Sequence, residues 1–195
     1  MRIKTGLFII VLISFFSCKS EYDQYVKREL STDIENTKLI FDLELGMTRK
    51  QFYDICWQLN KDKVVSQGPK NQYAMYSIEP GTIEIEENEI EMLFYGIFDE
   101  ALIMRGLDFQ FSYPKWAIWN DDYHSDELMK SLQQYFLDVF PGNDFIEVPL
   151  GKEGYFSYVK IDGNRQILMY PKDTKDVVVK VEDLRYKLSS KSSSR

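Results

Sequence analysis

Asp162-Gly163, followed by Asn164, separates two runs of mixed apolar and polar residues, 155–161 and 165–170. Asp-Gly favours a two-residue type I′ turn, because its central positions need positive φ, so these runs are expected to fold back as an antiparallel hairpin. Val177, Val179 and Val181 alternate with polar or second-layer positions and predict a third strand. Three antiparallel strands with an apolar face need a covering layer, so this stretch limits the chain to folds in which something packs on a meander.

Two helical patterns can supply that layer. Gly46 ends a short apolar run, 39–43, that reads as a strand. Thr48 and Gln51 then have capping-box spacing, the hydroxyl meeting the N3 amide and the glutamine reaching back. Phe52, Ile55, Cys56 and Leu59 follow at i, i+3, i+4 and i+7, one helical face. The second pattern opens at Ser125, expected as the cap, with Asp126 and Glu127 suited to the positive helix end. Leu128, Met129, Leu132, Phe136, Val139 and Phe140 form its buried face, and Pro141-Gly142 ends it.

Between the helices, residues 73–78, 83–86, 90–98 and 101–111 read as strands, the third the most apolar. A helix followed by strands thus occurs twice, at 48–111 and 125–182, without residue-level repetition. The expected class is α+β: two helix-plus-antiparallel-sheet units that can join into one continuous sheet with both helices on one face.

The first eighteen residues carry a different message. Arg2 and Lys4 precede an apolar run from Leu7 to Phe16 that is shorter than the roughly 20 residues needed to span a bilayer. That order of charge, apolar run and small residue fits a secretory leader over 1–17. Ser17-Cys18 resembles the lipobox of bacterial lipoproteins, in a version with aromatic residues as in Bacteroidota. The resemblance implies lipidation of Cys18 and a mature chain of 178 residues. Residues 18–38 read as a polar tether, helical over 21–30, residues 39–186 as the α+β domain, and 187–195 as a tail too polar to pack. Lys19, Glu21 and Asp23 are similar to the surface-export signal of Bacteroidota lipoproteins; an ordinary solvated tether is the alternative.

The formal charge is −7, and loss of Arg2 and Lys4 with the leader makes it −9. Such a balance disfavours nucleic acid, whose phosphates it would repel, and disfavours lying flat on anionic lipid. With Cys18 lipidated, Cys56 has no partner for a disulfide and is expected to be buried and inert.

Three stretches carry polar or aromatic density. Tyr113, Trp116, Trp119 and Tyr123 place four large aromatics beside Pro114. Exposed, they would suit a glycan or a protein; tucked in, they would cover the sheet. Asn120, Asp121, Asp122, His124, Asp126 and Glu127 are oxygen-rich, but the helix dipole accounts for the last two, and no metal site or cofactor is expected. Glu84, Glu86, Glu87, Glu89 and Glu91 read as the wet side of a hairpin. His124 is the only histidine, and no nucleophile, phosphate-loop or zinc motif accompanies it.

Leu43-Glu44-Leu45-Gly46-Met47-Thr48, with Gln51-Phe52, resembles the Gly-Met-Thr helix start of the BamE-like envelope lipoproteins, and Gly68-Pro69 echoes their later Gly-x-Pro. The resemblance implies an α+β fold and a habit of binding protein partners in the envelope; it carries over no functional residue. The sequence therefore leads to a non-enzymatic lipoprotein of the bacterial envelope, held at the outer membrane by its N-terminal lipid, facing the periplasm or the surface, and working through an envelope protein partner. Glycan binding through the 113–123 loop is the alternative.

Overall fold

A computed structural model describes residues 21–150 and 156–193. The expected leader, Cys18 and the first residue of the expected 155–161 strand lie outside them. The strands are β1 (Ser66–Gln67), β2 (Ala74–Ile78), β3 (Ile90–Phe98), β4 (Met104–Ser112), β5 (Ile146–Pro149), β6 (Phe156–Asp162), β7 (Arg165–Pro171) and β8 (Val177–Asp183). The helices are α1 (Glu21–Leu30), α2 (Arg49–Lys61), α3 (Ser125–Val139) and α4 (Leu184–Ser193). All eight strands form one antiparallel sheet in the order β1-β2-β3-β4-β8-β7-β6-β5. The two expected units are thus one continuous sheet, joined where β4 pairs with β8 from Gly106↔Glu182 to Phe111↔Val177.

The hairpin at 162–165 forms, with Asp162 opposite Arg165 and Gly163-Asn164 as its loop. Gly163 has φ +58, and Asn164 is not among the residues with positive φ, so the loop has the Gly-first pattern of type II′ rather than type I′. Glycine is required twice over there, because a Cβ would sit 2.4 Å from the Ile34 carbonyl oxygen.

One sheet face carries the main core. Phe136 of α3 meets the rings of Phe109 and Phe111 edge-on, and Phe52 of α2 meets Phe98 in the same way. Both helices lie on this face, their apolar residues in one cluster with Ile90, Met92, Phe94, Ile167, Met169, Val177 and Val179. Leu128, Leu132 and Phe136 are fully buried, each contributing about 1.5–3 kcal/mol. Val139, expected on this face, is partly exposed at the last turn.

Four segments differ from the sequence reading. The run 39–43 is a turn, closed by the Leu43 amide donating to the Ile40 carbonyl, with Phe41 and Asp42 at φ 55 and 59. Leu39, Ile40 and Leu43 are buried, and half-buried Phe41 reaches Tyr76 and Phe94 by turning rather than by extending. The run 83–86 is also turned: Ile83 is buried, Ile85 exposed, and Glu86 points inward. The stretch expected as a tether docks from Glu21 onward. Tyr25 and Val26 of α1 pack with Val159, Ile161 and Leu184 on the sheet face opposite α2 and α3. Residues 187–193, expected to lack structure, continue α4. Among the described residues no helix is long and apolar enough to cross a membrane.

Candidate functional site: a groove between α2 and the open end of β3

The largest difference between the two halves lies at the strand next to the outer edge. In the second half β6 runs alongside β7 through Tyr158↔Met169, and β7 pairs with β8 over its whole length. In the first half β2 stops short. Its pairing with β3 ends at Ala74↔Phe94, although β3 continues to Phe98. Tyr73 still faces Tyr95, their rings 5.2 Å apart, but the preceding chain turns away through Lys70 and Asn71, at φ 55 and 58. Residues 95–98 therefore have a strand partner in β4 and none on the β2 side.

α2 runs over this open end. Its capping box forms as the sequence predicts: the Gln51 amide donates to Thr48 Oγ1 at 3.3 Å, and the Thr48 amide donates to Gln51 Oε1 at 2.8 Å. The helix buries Phe52 fully, while Ile55, Cys56 and Leu59 are only half-buried. The gap is a groove of about 480 Å³, within the range of ligand-binding clefts. Tyr53 and Trp57 form its helical wall, one turn apart and 59% and 67% exposed. Tyr95, Gly96 and Phe98 form its strand wall, and Asn60, Asn71 and Gln72 supply amides. None of the described residues lining it carries a charge, in a chain where 28% of residues do.

Cys56 lines this groove rather than the deep core, which corrects the expectation of full burial. Burial still pushes its thiol up to about 11, so it is a neutral, unreactive wall at neutral pH. Tyr53 and Trp57 do not stand out in the sequence because they lie beside the predicted buried face. Their i, i+4 spacing next to Cys56 was the available signal.

The aromatic loop is divided by the fold. Tyr113 is buried and donates its hydroxyl to Glu86 Oε2. Tyr123 packs edge-on to it at 5.5 Å. Trp116 is half-buried, its indole donating to the Thr174 carbonyl at 3.2 Å, whereas Trp119 is 85% exposed. The four do not make one surface patch. Glu86, expected in water, also accepts from Ser131 at 2.7 Å and from the Asn88 amide at 2.8 Å. Burial raises its pKa, but those donors together outweigh it and hold the carboxyl below its ordinary value.

His124, not Ser125, is the N-cap of α3; the Ser125 hydroxyl donates instead to the Asp173 carbonyl. His124 Nδ1 lies 3.5 Å from Asp121, and no group of carboxylates, histidines or cysteines suited to a metal occurs among the described residues. A second polar cluster joins fully buried Lys160 to Asp162 at 2.9 Å and to the Asn143 carbonyl. It ties the end of α3 to β6 and opens onto no cavity among those described.

No family of known proteins, no curated protein and no solved structure matches this chain.

Proposed function

We propose that this chain is a lipid-anchored protein of a bacterial cell envelope that acts through contacts with another protein rather than by catalysis. The groove between α2 and the open end of β3 is the observation that carries this reading. It offers large exposed aromatic side chains, main-chain groups and no charge, the kind of surface on which protein contacts concentrate their binding energy. The lipobox-like Ser17-Cys18 supports the anchor. The BamE-like start of α2 supports the envelope-partner habit. Glycan binding through the 113–123 loop is the second reading, favoured by the exposure of Trp119 alone.

The anchor is tested by metabolic labelling with a palmitate analogue and membrane fractionation of the wild type and Cys18→Ser. The leader is too short to span, so retention should depend on acyl chains attached at Cys18. Label and membrane partitioning are expected in the wild type and loss of both in the variant. Equal labelling of the two would refute the anchor. Crosslinking in the native membrane should then give a defined protein adduct, and failure to exceed a control lipoprotein would remove the protein-contact reading.

A further inference from the structure

The protein treats its irregular strand edges unequally. β6 also outruns its outer neighbour: its pairing with β5 begins at Ile146↔Val159, leaving 160–162 without β5. There the edge is sealed. The Ile161 amide donates to the Tyr25 hydroxyl at 3.1 Å, and the Ile161 carbonyl accepts from Asn143 Nδ2 at 2.8 Å. At β3 no such seal is present. No side-chain hydrogen bond reaches the main chain of Gly96 or Ile97 among the described residues, and no turn bond reaches it either. Exposed edges are a liability that folds normally blunt with charge, proline or a cover. Residues 96–98 include no charge or proline, and what lies over them, α2 and the Phe98 ring, leaves the edge open along an aromatic-walled groove.

We propose that the groove binds an extended peptide segment of a partner protein, which adds as a strand to residues 95–98 of β3. This rests on the protein-contact reading above and names the form the partner takes. Four residues of free edge span about 13 Å at the rise of a strand, enough for a short segment to exchange main-chain hydrogen bonds. Alternate side chains of that segment would point towards α2, where Tyr53, Trp57 and Phe52 wait, and towards Tyr95 on the other face. Gly96 suits this role. A Cβ there would meet the Phe98 ring at 2.6 Å, so the Phe98 ring lies over the position and supplies an apolar floor. The lining residues carry no charge, so charged residues of the segment that face them would lose water without a counter-charge in the lining; Lys61 Nζ, 5.8 Å over the Trp57 ring, makes the exclusion strictest for basic residues. A neutral saccharide would also tolerate such a lining, and its hydroxyls can pair with main-chain groups, but a peptide strand alone repeats donor and acceptor at the spacing of the edge.

The probe is a displayed library of random octapeptides, selected on the full mature chain in detergent. Enriched peptides should be poor in charge, with alternating apolar positions. Trp57→Ala and Tyr53→Ala, both at exposed positions, should each weaken them at least tenfold while leaving the unfolding transition in place. Binding should slow amide hydrogen exchange within 95–98, and N-methylation of alternate peptide amides should abolish it. Peptides that bind equally to both variants, peptides indifferent to N-methylation, absence of any enrichment, or a neutral glycan on an array binding in a Trp57-dependent way would each overturn the proposal. Loss of this proposal with an intact membrane crosslink would leave the protein-contact reading standing at another surface; loss of both would remove that reading too.

Discussion

Glu86 shows how one side chain can decide the course of a loop. Its carboxylate is buried, accepting from Tyr113, Ser131 and Asn88, and so ties the 79–89 turn to the aromatic loop and to α3. Hydrogen bonds to a charged acceptor contribute about 1.5–3 kcal/mol each, against about 0.5–1.5 for neutral ones. Glu86→Gln keeps the shape and removes the charge, so it should cost about 1–2 kcal/mol at pH 7. The folded-state pKa is depressed below 4.5, its ordinary value. The stabilisation is therefore fully present above that value and is lost as pH falls through the lower folded pKa. Urea unfolding of both proteins at pH 7 and near pH 3 checks this. The gap should narrow in acid, and a gap of the same size at both pH values would show that the charge is irrelevant. In the sequence Glu86 looked like its neighbours Glu84 and Glu87, because nothing local distinguishes an acid that meets Tyr113 and Ser131 only after folding.

At the scale of elements, α2 is the helix whose start has the plainest local cause and whose packing is least legible. Its start rests on Thr48 and Gln51, a local interaction, and both halves of the capping box are formed. Thr48→Ala should cost about 1 kcal/mol, read as a drop in urea midpoint with unchanged slope; no change would mean that the box contributes nothing measurable. The apolar face was equally plain, yet whether Cys56 and Leu59 are covered depends on how far β2 runs, which the turn at Lys70 and Asn71 decides. The same limit explains β1 and β5, which were not anticipated: two and four residues long, they are set by pairing rather than by pattern. The 39–43 run failed differently. Its apolar residues read as extended, but tertiary contacts of Phe41 with Tyr76 and Phe94 hold two non-glycine residues at positive φ. α1 reads as a helix with its observed bounds, and Tyr22, Tyr25, Val26 and Leu30 fall on one face at i, i+3, i+4 and i+8, a docking signal that the surrounding charge hides.

The whole molecule is organised around the β4–β8 seam. On either side stands a helix and a four-stranded meander, α2 with β1–β4 and α3 with β5–β8, so the strand order reads outward symmetrically from the seam. The core does not respect that division. Phe109 and Phe111 of the first half lie beside Val179 and Val177 of the second and are capped by Phe136 of α3. Unfolding one half alone would bare these four side chains at about 1.5–3 kcal/mol each, or about 6–12 kcal/mol together. That approaches the whole stability of an ordinary domain, about 5–15 kcal/mol. Partial unfolding therefore gains chain entropy from one half while forfeiting core from both, and the two halves should open together. Native-state hydrogen exchange across a urea series is the measurement. The slowest amides of β3 and β4 should report the same opening free energy, with the same urea dependence, as those of β7 and β8, while β1 and β5 at the edges exchange earlier. Two separate plateaus, one per half, would mean that the seam is only a contact between independent units, and that the groove could form without α3 or β8.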